Sequence, residues 1–247
     1  MNNKKWANVI IAFLIAINIT VVHAAEPHKT QYDPGQYFPW QEEVFSDIKT
    51  KYGKAASKRI RKIHDLVIQH YNSSVDEKLK LVNDFMNDLP WLTDSDKWKR
   101  DDYWATPMET LATYGGDCED IAIAKYVALR ALNIPDNNLA FAHVQLSDGA
   151  DHMVLLYWPN EKSQPLVLDN VKLHILPSGN RHDLKAIYAF RTDGTVWLIT
   201  EHGGKRSIKA KIKNSRLKKW TTVWARMKEN RKYLMKLNGG RKLFSGH

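Results

Sequence analysis

The chain has 247 residues, of which 43% are apolar, 26% charged and 11% aromatic. That profile excludes a disordered, collagen-like or coiled-coil protein and fits one large globular domain or a core with an accessory piece. The net charge of +10 hides an asymmetry, because from residue 201 onward fifteen Lys and Arg face only Glu201 and Glu229, a net of +13 that leaves a mildly acidic body.

At the N-terminus Lys4 and Lys5 precede an apolar run from Ala7 to Val22, broken by Asn8, Asn18 and Thr20 and followed by His23-Ala24-Ala25. This is the pattern of a secretory signal cut near Ala24 or Ala25. The alternative, an uncleaved anchor, is poorly served by polar interruptions, since a spanning helix takes roughly 18 apolar residues. Either reading puts the folded part outside the cytoplasm. It divides the chain into a signal peptide (1–24), a main domain (25–200) and a basic extension (201–247), packed on that domain or flexible. Outside the cytoplasm, nucleic acid is not a partner for the extension. Anionic membrane lipid or an acidic protein surface suits it better, and a merely solvated basic face is the alternative.

From Trp40 to Asp88 the periodicity is helical. Val44, Ile48 and Tyr52 form one stripe, Ile60, Ile63 and Val67 a second, and Leu79, Val82, Phe85 and Met86 a third. Trp91 to Pro107 is irregular, aromatic and charged, which suits the rim of a cleft. A helix from about Cys118 to Leu132 is apolar nearly all round and belongs in the interior. Beyond Pro135 the period becomes that of strands, over Leu139 to Leu146, His152 to Trp158 and Leu166 to Leu168. Ala186 to Phe190 and Val196 to Thr200 form a further hairpin, turning at Thr192-Asp193-Gly194. Leu217 to Leu237 is helical again, with Leu217, Trp220, Trp224 and Met227 on one side. Helices, one buried helix and then an antiparallel sheet make an α+β plan.

The chain has one cysteine, so no intrachain disulfide forms in a compartment that would favour one. An unpaired thiol there is either buried and inert or kept for its chemistry. Cys118 opens the buried helix, where free amide N–H groups and the helix dipole stabilise a thiolate and can receive an oxyanion. A nucleophile also needs a base, and the base an orienting partner. His152 opens a strand just after the Gly149 turn, and Asp169 ends the next strand. His143 is the alternative base, lying mid-strand without a comparable acid in register.

These residues resemble a family. The string Gly115-Gly116-Asp117-Cys118-Glu119-Asp120, with His152-Met153-Val154-Leu155, Leu168-Asp169-Asn170 and the upstream Trp104-Ala105-Thr106-Pro107, is similar to the bacterial transglutaminase-like cysteine proteases of the adhesin-releasing type. The resemblance spans about Trp40 to Thr200. It implies a papain/transglutaminase-like fold with Cys118, His152 and Asp169 as nucleophile, base and orienter, and it makes Trp104 a candidate cleft wall. It also implies a periplasmic, calcium-requiring protease that cuts a large repeat adhesin near an N-terminal di-alanine site. An inner-membrane receptor sensing cyclic di-GMP would hold that protease in check.

Calcium has a physical argument of its own. Asp117, Glu119 and Asp120 crowd three carboxylates around one thiol. Capping accounts for Asp117 and Asp120 at most. Uncompensated, the charges raise the thiol pKa, and an all-oxygen ligand set favours Ca2+ over zinc. Two rivals stay open: a transglutaminase or peptidoglycan amidase using the same three residues, and a binding module in which Cys118 is a small buried hydrophobe.

Overall fold

The computed structural model describes residues 40–160, 163–202, 205–213 and 218–240. The signal-peptide reading therefore lies outside the described residues. Three helices come first: α1 (Glu42–Tyr52), α2 (Lys54–Gln69) and α3 (Val75–Asn87). Their stripes are buried as the periodicity requires, with Val44 and Ile48, Ile60 and Val67, and Leu79, Val82 and Met86 all inside. The Ser74 hydroxyl caps α3 by accepting from the Glu77 N–H.

The stretch read as irregular holds two short helices, α4 (Asp94–Trp98) and α5 (Pro107–Ala112). One turn of helix is too brief to show a 3.6-residue period, so their signals are caps alone. Thr93 accepts from the Asp96 N–H, and Thr106 with Glu109 forms a reciprocal capping box.

Helix α6 (Cys118–Ala131) is the interior helix, with ten of its fourteen residues buried. It packs on a seven-stranded antiparallel sheet of order β4-β3-β2-β1-β5-β6-β7. The strands are β1 (Leu139–Leu146), β2 (Asp151–Tyr157), β3 (Leu166–Leu168), β4 (Leu176–Pro177), β5 (Leu184–Phe190), β6 (Thr195–His202) and β7 (Lys205–Lys213). On one face Phe141 of β1 meets Tyr126 of α6 at 5.3 Å and Phe190 of β5 at 5.2 Å between ring centres. The other face carries a cluster of Ala142, Val144, Val154, Leu156, Val167, Leu184 and Ala189, with Trp158 and Trp197 against it.

Strands β4 and β7 were not expected. β4 is two residues long, and the Lys-rich sequence of β7 hides its extended period. Lysines suit a strand at the edge of a sheet, where they discourage pairing with other chains. β6 runs through residue 200, so the expected domain boundary falls inside a strand. The last helix, α7 (Lys218–Leu237), is docked rather than free. Trp220 is buried and lies 5.1 Å from Phe141, while Val223 and Leu234 complete the buried side. Trp224 stacks on Trp220, Met227 is half-buried, and Leu217 lies outside the described residues. The side chain of Asn238 ties the end of the helix to the Gln41 N–H at 2.7 Å. No helix among the described residues is long and apolar enough to cross a membrane.

Trp220 joins α7 to the aromatic centre of the sheet. Trp220→Ala is expected to destabilise the protein by about 3–5 kcal/mol, the usual cost of emptying a large aromatic site. Urea denaturation followed by circular dichroism measures it.

Candidate active site

Residues 90–92 run alongside the mouth of α6. The Leu92 N–H donates to the Gly116 carbonyl at 3.0 Å, and the Gly116 N–H to the Pro90 carbonyl at 3.2 Å. This close approach explains Gly115, and the Asp120 side chain explains Gly116. Gly115 sits at φ +116°, and a Cβ there would lie 2.3 Å from the Pro90 carbonyl oxygen. A Cβ on Gly116 would lie 2.4 Å from an Asp120 carboxylate oxygen. The first bond within α6 runs from the Ile121 N–H to the Asp117 carbonyl, so the amides of residues 118–120 open onto the mouth.

His152, the second residue of β2, is buried, and its Nε2 lies 2.7 Å from Asp169 Oδ1. That bond leaves Nδ1 as the nitrogen for another partner. Asp169 follows β3 and is fully buried. The Val171 N–H also reaches Oδ1, at 2.9 Å, and Arg181 reaches Oδ2, at 2.5 Å. The Asn87 side chain donates to the Asp169 backbone carbonyl at 2.9 Å. Burial pushes this carboxyl up, but His152, the Val171 amide and Arg181 together hold it well below the ordinary range. The alternative base behaves differently. His143 stacks on Tyr188 and does have an acid, Asp151, at 3.3 Å, but that aspartate is exposed.

The Cys118 thiol donates to Glu119 Oε2 at 2.9 Å. Its sulfur also faces the backbone N–H of Met153, the residue after His152. Among the described residues no hydrogen bond joins the sulfur to His152. Instead of the lowered pKa expected of a helix mouth, burial pushes the thiol strongly up, and the charges of Glu119 and Asp117 add to the effect.

The structure regroups those carboxylates. Asp94, Asp117 and Glu119 bring oxygens within 4.8 Å of one another, a set able to hold a metal ion. Asp120, expected in that set, lies outside this cluster: its Oδ1 accepts the Ala105 N–H at 2.6 Å in full burial, and its Oδ2 is buried without a hydrogen-bond partner. Asp117 occupies the cap position in an extended conformation (φ −91°, ψ −161°) but makes no side-chain capping hydrogen bond. The expected capping box of Asp117 and Asp120 is therefore absent. Asp94 Oδ1 and Asp117 Oδ1 are buried without a hydrogen-bond partner. Burial and the neighbouring acids raise Asp117 well above the usual carboxylate range, and Asp120 is pushed up to about 7. Lys97, bonded to the Gly115 carbonyl, faces Asp120 and Asp117 and offsets part of this charge.

Asp94, Arg181 and Asn87 escaped the reading of the sequence, and only the Thr93 cap before Asp94 gave any local sign. Trp104 stacks on Phe190 at 6.3 Å, while Trp91 is the exposed tryptophan beside the mouth, at 60% of its surface.

A cysteine at an interior helix mouth, packed on an antiparallel sheet with a His–Asp pair nearby, is the arrangement of a transglutaminase-like fold. Residues 49–188 match the family described as bacterial transglutaminase-like cysteine proteinase, and the chain belongs to that family. Among solved structures it is similar to LapG of Legionella pneumophila, at 33% identity and a TM-score of 0.63, over 77% of this chain and 99% of that one. EGTA-treated LapG of the same organism matches at 31% identity over 77% and 100%, with a TM-score of 0.63. Calcium-bound LapG matches at 32% over 75% and 98%, again with a TM-score of 0.63. No curated protein sequence matches the chain.

Because Glu119 both bonds the thiol and opposes its ionisation, Glu119→Gln is expected to speed alkylation of Cys118 by iodoacetamide severalfold at neutral pH in EGTA. Mass spectrometry of the carbamidomethyl adduct against time measures it.

Proposed function

We propose that this protein is a calcium-dependent periplasmic cysteine endopeptidase in which Cys118 is the nucleophile, His152 the base and Asp169 the orienter. The observation that carries this reading is the buried 2.7 Å contact of His152 Nε2 with Asp169, on the strand whose next amide faces the Cys118 sulfur. In the reaction His152 Nδ1 takes the thiol proton as sulfur bonds to the peptide carbonyl carbon. The developing oxyanion meets the amides at the mouth of α6. His152 then delivers the proton to the leaving amine, and water cleaves the thioester to free a carboxylic acid and restore the thiol. The thiol must first turn from Glu119 to His152, a tightening common when substrate arrives.

Asp94, Asp117 and Glu119 are the residues that would hold Ca2+. The fit rests on two orphaned buried oxygens, Asp94 Oδ1 and Asp117 Oδ1, in an all-oxygen set. A bound cation would offset the negative charge that burdens the thiolate. Calcium-bound LapG among the similar structures supports calcium as the ion.

The resemblance extends the proposal to a large repeat adhesin cut near a di-alanine site, under an inner-membrane cyclic-di-GMP receptor. The basic C-terminal part adds a proposed contact with anionic membrane lipid.

Cys118→Ala is expected to abolish cleavage of an adhesin N-terminal region while leaving the fold intact, and appreciable turnover by that variant would reject the assignment. Mass spectrometry separates the chemistries: hydrolysis yields a new free carboxyl terminus, whereas a transglutaminase releases ammonia and forms an isopeptide bond. Dialysis against EGTA is expected to abolish activity and lower the melting temperature, with calcium restoring both. Full activity after chelation would remove calcium from the proposal.

A further inference from the structure

We propose that Arg181 is a positioning residue, aiming Asp169 at His152 by holding the far oxygen of the carboxylate. This rests on the reading of Cys118, His152 and Asp169 given above.

Arg181 stands in the turn before β5 and is 1% exposed, among the largest fully buried side chains of the protein. Its Nη2 donates to Asp169 Oδ2 at 2.5 Å and to Asp183 Oδ2 at 2.8 Å, and its Nε donates to Asp183 Oδ1 at 2.9 Å. Asp183 thus fixes the plane of the guanidinium from the half-exposed side, and the guanidinium fixes Asp169 from the buried side. The backbone is pinned too, with the Arg181 N–H on the Ser178 carbonyl at 3.2 Å and the Leu184 N–H on the Arg181 carbonyl at 3.2 Å.

The division of labour on Asp169 is what makes the arrangement directional. Oδ2 goes to Arg181, while Oδ1 goes to His152 and the Val171 N–H. A carboxylate with each oxygen claimed by a different fixed donor cannot rotate about its Cβ–Cγ bond without breaking a charge-assisted hydrogen bond. Nη1 of Arg181 is buried without a hydrogen-bond partner. The guanidinium leaves one donor group unmet while fully using the edge toward Asp169 and Asp183, so its placement follows the carboxylates. Lys125 of α6 is also buried near Asp169; burial pushes its amine down to about 7, and it donates to Asn83 Oδ1 at 2.8 Å.

The test uses the full calcium-loaded chain and a peptide substrate containing the di-alanine site, with Arg181→Met and Arg181→Lys each made in wild-type and Asp169→Asn backgrounds. Single-turnover rate, KM and melting temperature are measured for all. Arg181→Met is expected to lower the rate at least tenfold with KM within twofold, and Arg181→Lys to keep an intermediate rate. In the Asp169→Asn background, Arg181→Met is expected to change the rate by less than twofold, because Arg181 acts through Asp169. An unchanged rate in folded Arg181→Met, or equal losses in both backgrounds, overturns the inference. If Arg181→Met fails to fold, Arg181→Lys carries the same comparison between backgrounds. Cleavage that survives Cys118→Ala would instead overturn the underlying reading, so the two failures are distinct.

Discussion

A carboxylate taken fully out of water is tolerated only where positive charge and hydrogen bonds replace its hydration, and Asp169 is such a group. Its ionised state depends on contacts arriving from separate parts of the chain: Arg181 ahead of β5, the Val171 amide just downstream and the ring of His152 on β2. Asn87 on α3 holds the backbone beneath it. The helical layer, the sheet and the connecting loops must all be assembled before this charge is stable. The site is therefore a product of the whole fold and not of one motif.

The other half of the site is under the opposite stress. At the mouth of α6 negative charge is in excess, and it bears on the Cys118 sulfur. Lys97 relieves part of the excess from within the chain. The rest sits on Asp94, Asp117 and Glu119, two of which keep a buried oxygen with no hydrogen-bond partner. A helix dipole of about half an elementary charge cannot balance several carboxylates. Negative charge gathered at this mouth works against ionisation of the Cys118 thiol.

What the sequence disclosed, and what it withheld, follows from the range of each signal. The strands around His152 and the interior helix bearing Cys118 were legible because periodicity and turn residues are local. β1 and β3 were read to the residue, and the turn at Gly149 placed His152 correctly beside Asp169. Arg181 and Asp94 were not legible, because nothing near them in sequence announces a partner 12 or 23 positions away. Asp120 misled by adjacency. Sharing a string with Asp117 and Glu119 implied a shared cluster, yet those two gather with Asp94, and Asp120 Oδ1 turns to the Ala105 amide.

The docking of α7 has a bearing on when the site can exist. Arg226 reaches back more than a hundred residues to the Glu109 carboxylate at 2.8 Å, and also bonds the Tyr103 hydroxyl and the Trp104 carbonyl. Those same neighbours supply the Tyr103 amide that binds Asp94 and the Ala105 amide that binds Asp120. A chain that emerges N-terminus first acquires this brace only once α7 has followed the sheet. A molecule in which α7 has yet to dock thus lacks this brace on the acidic mouth.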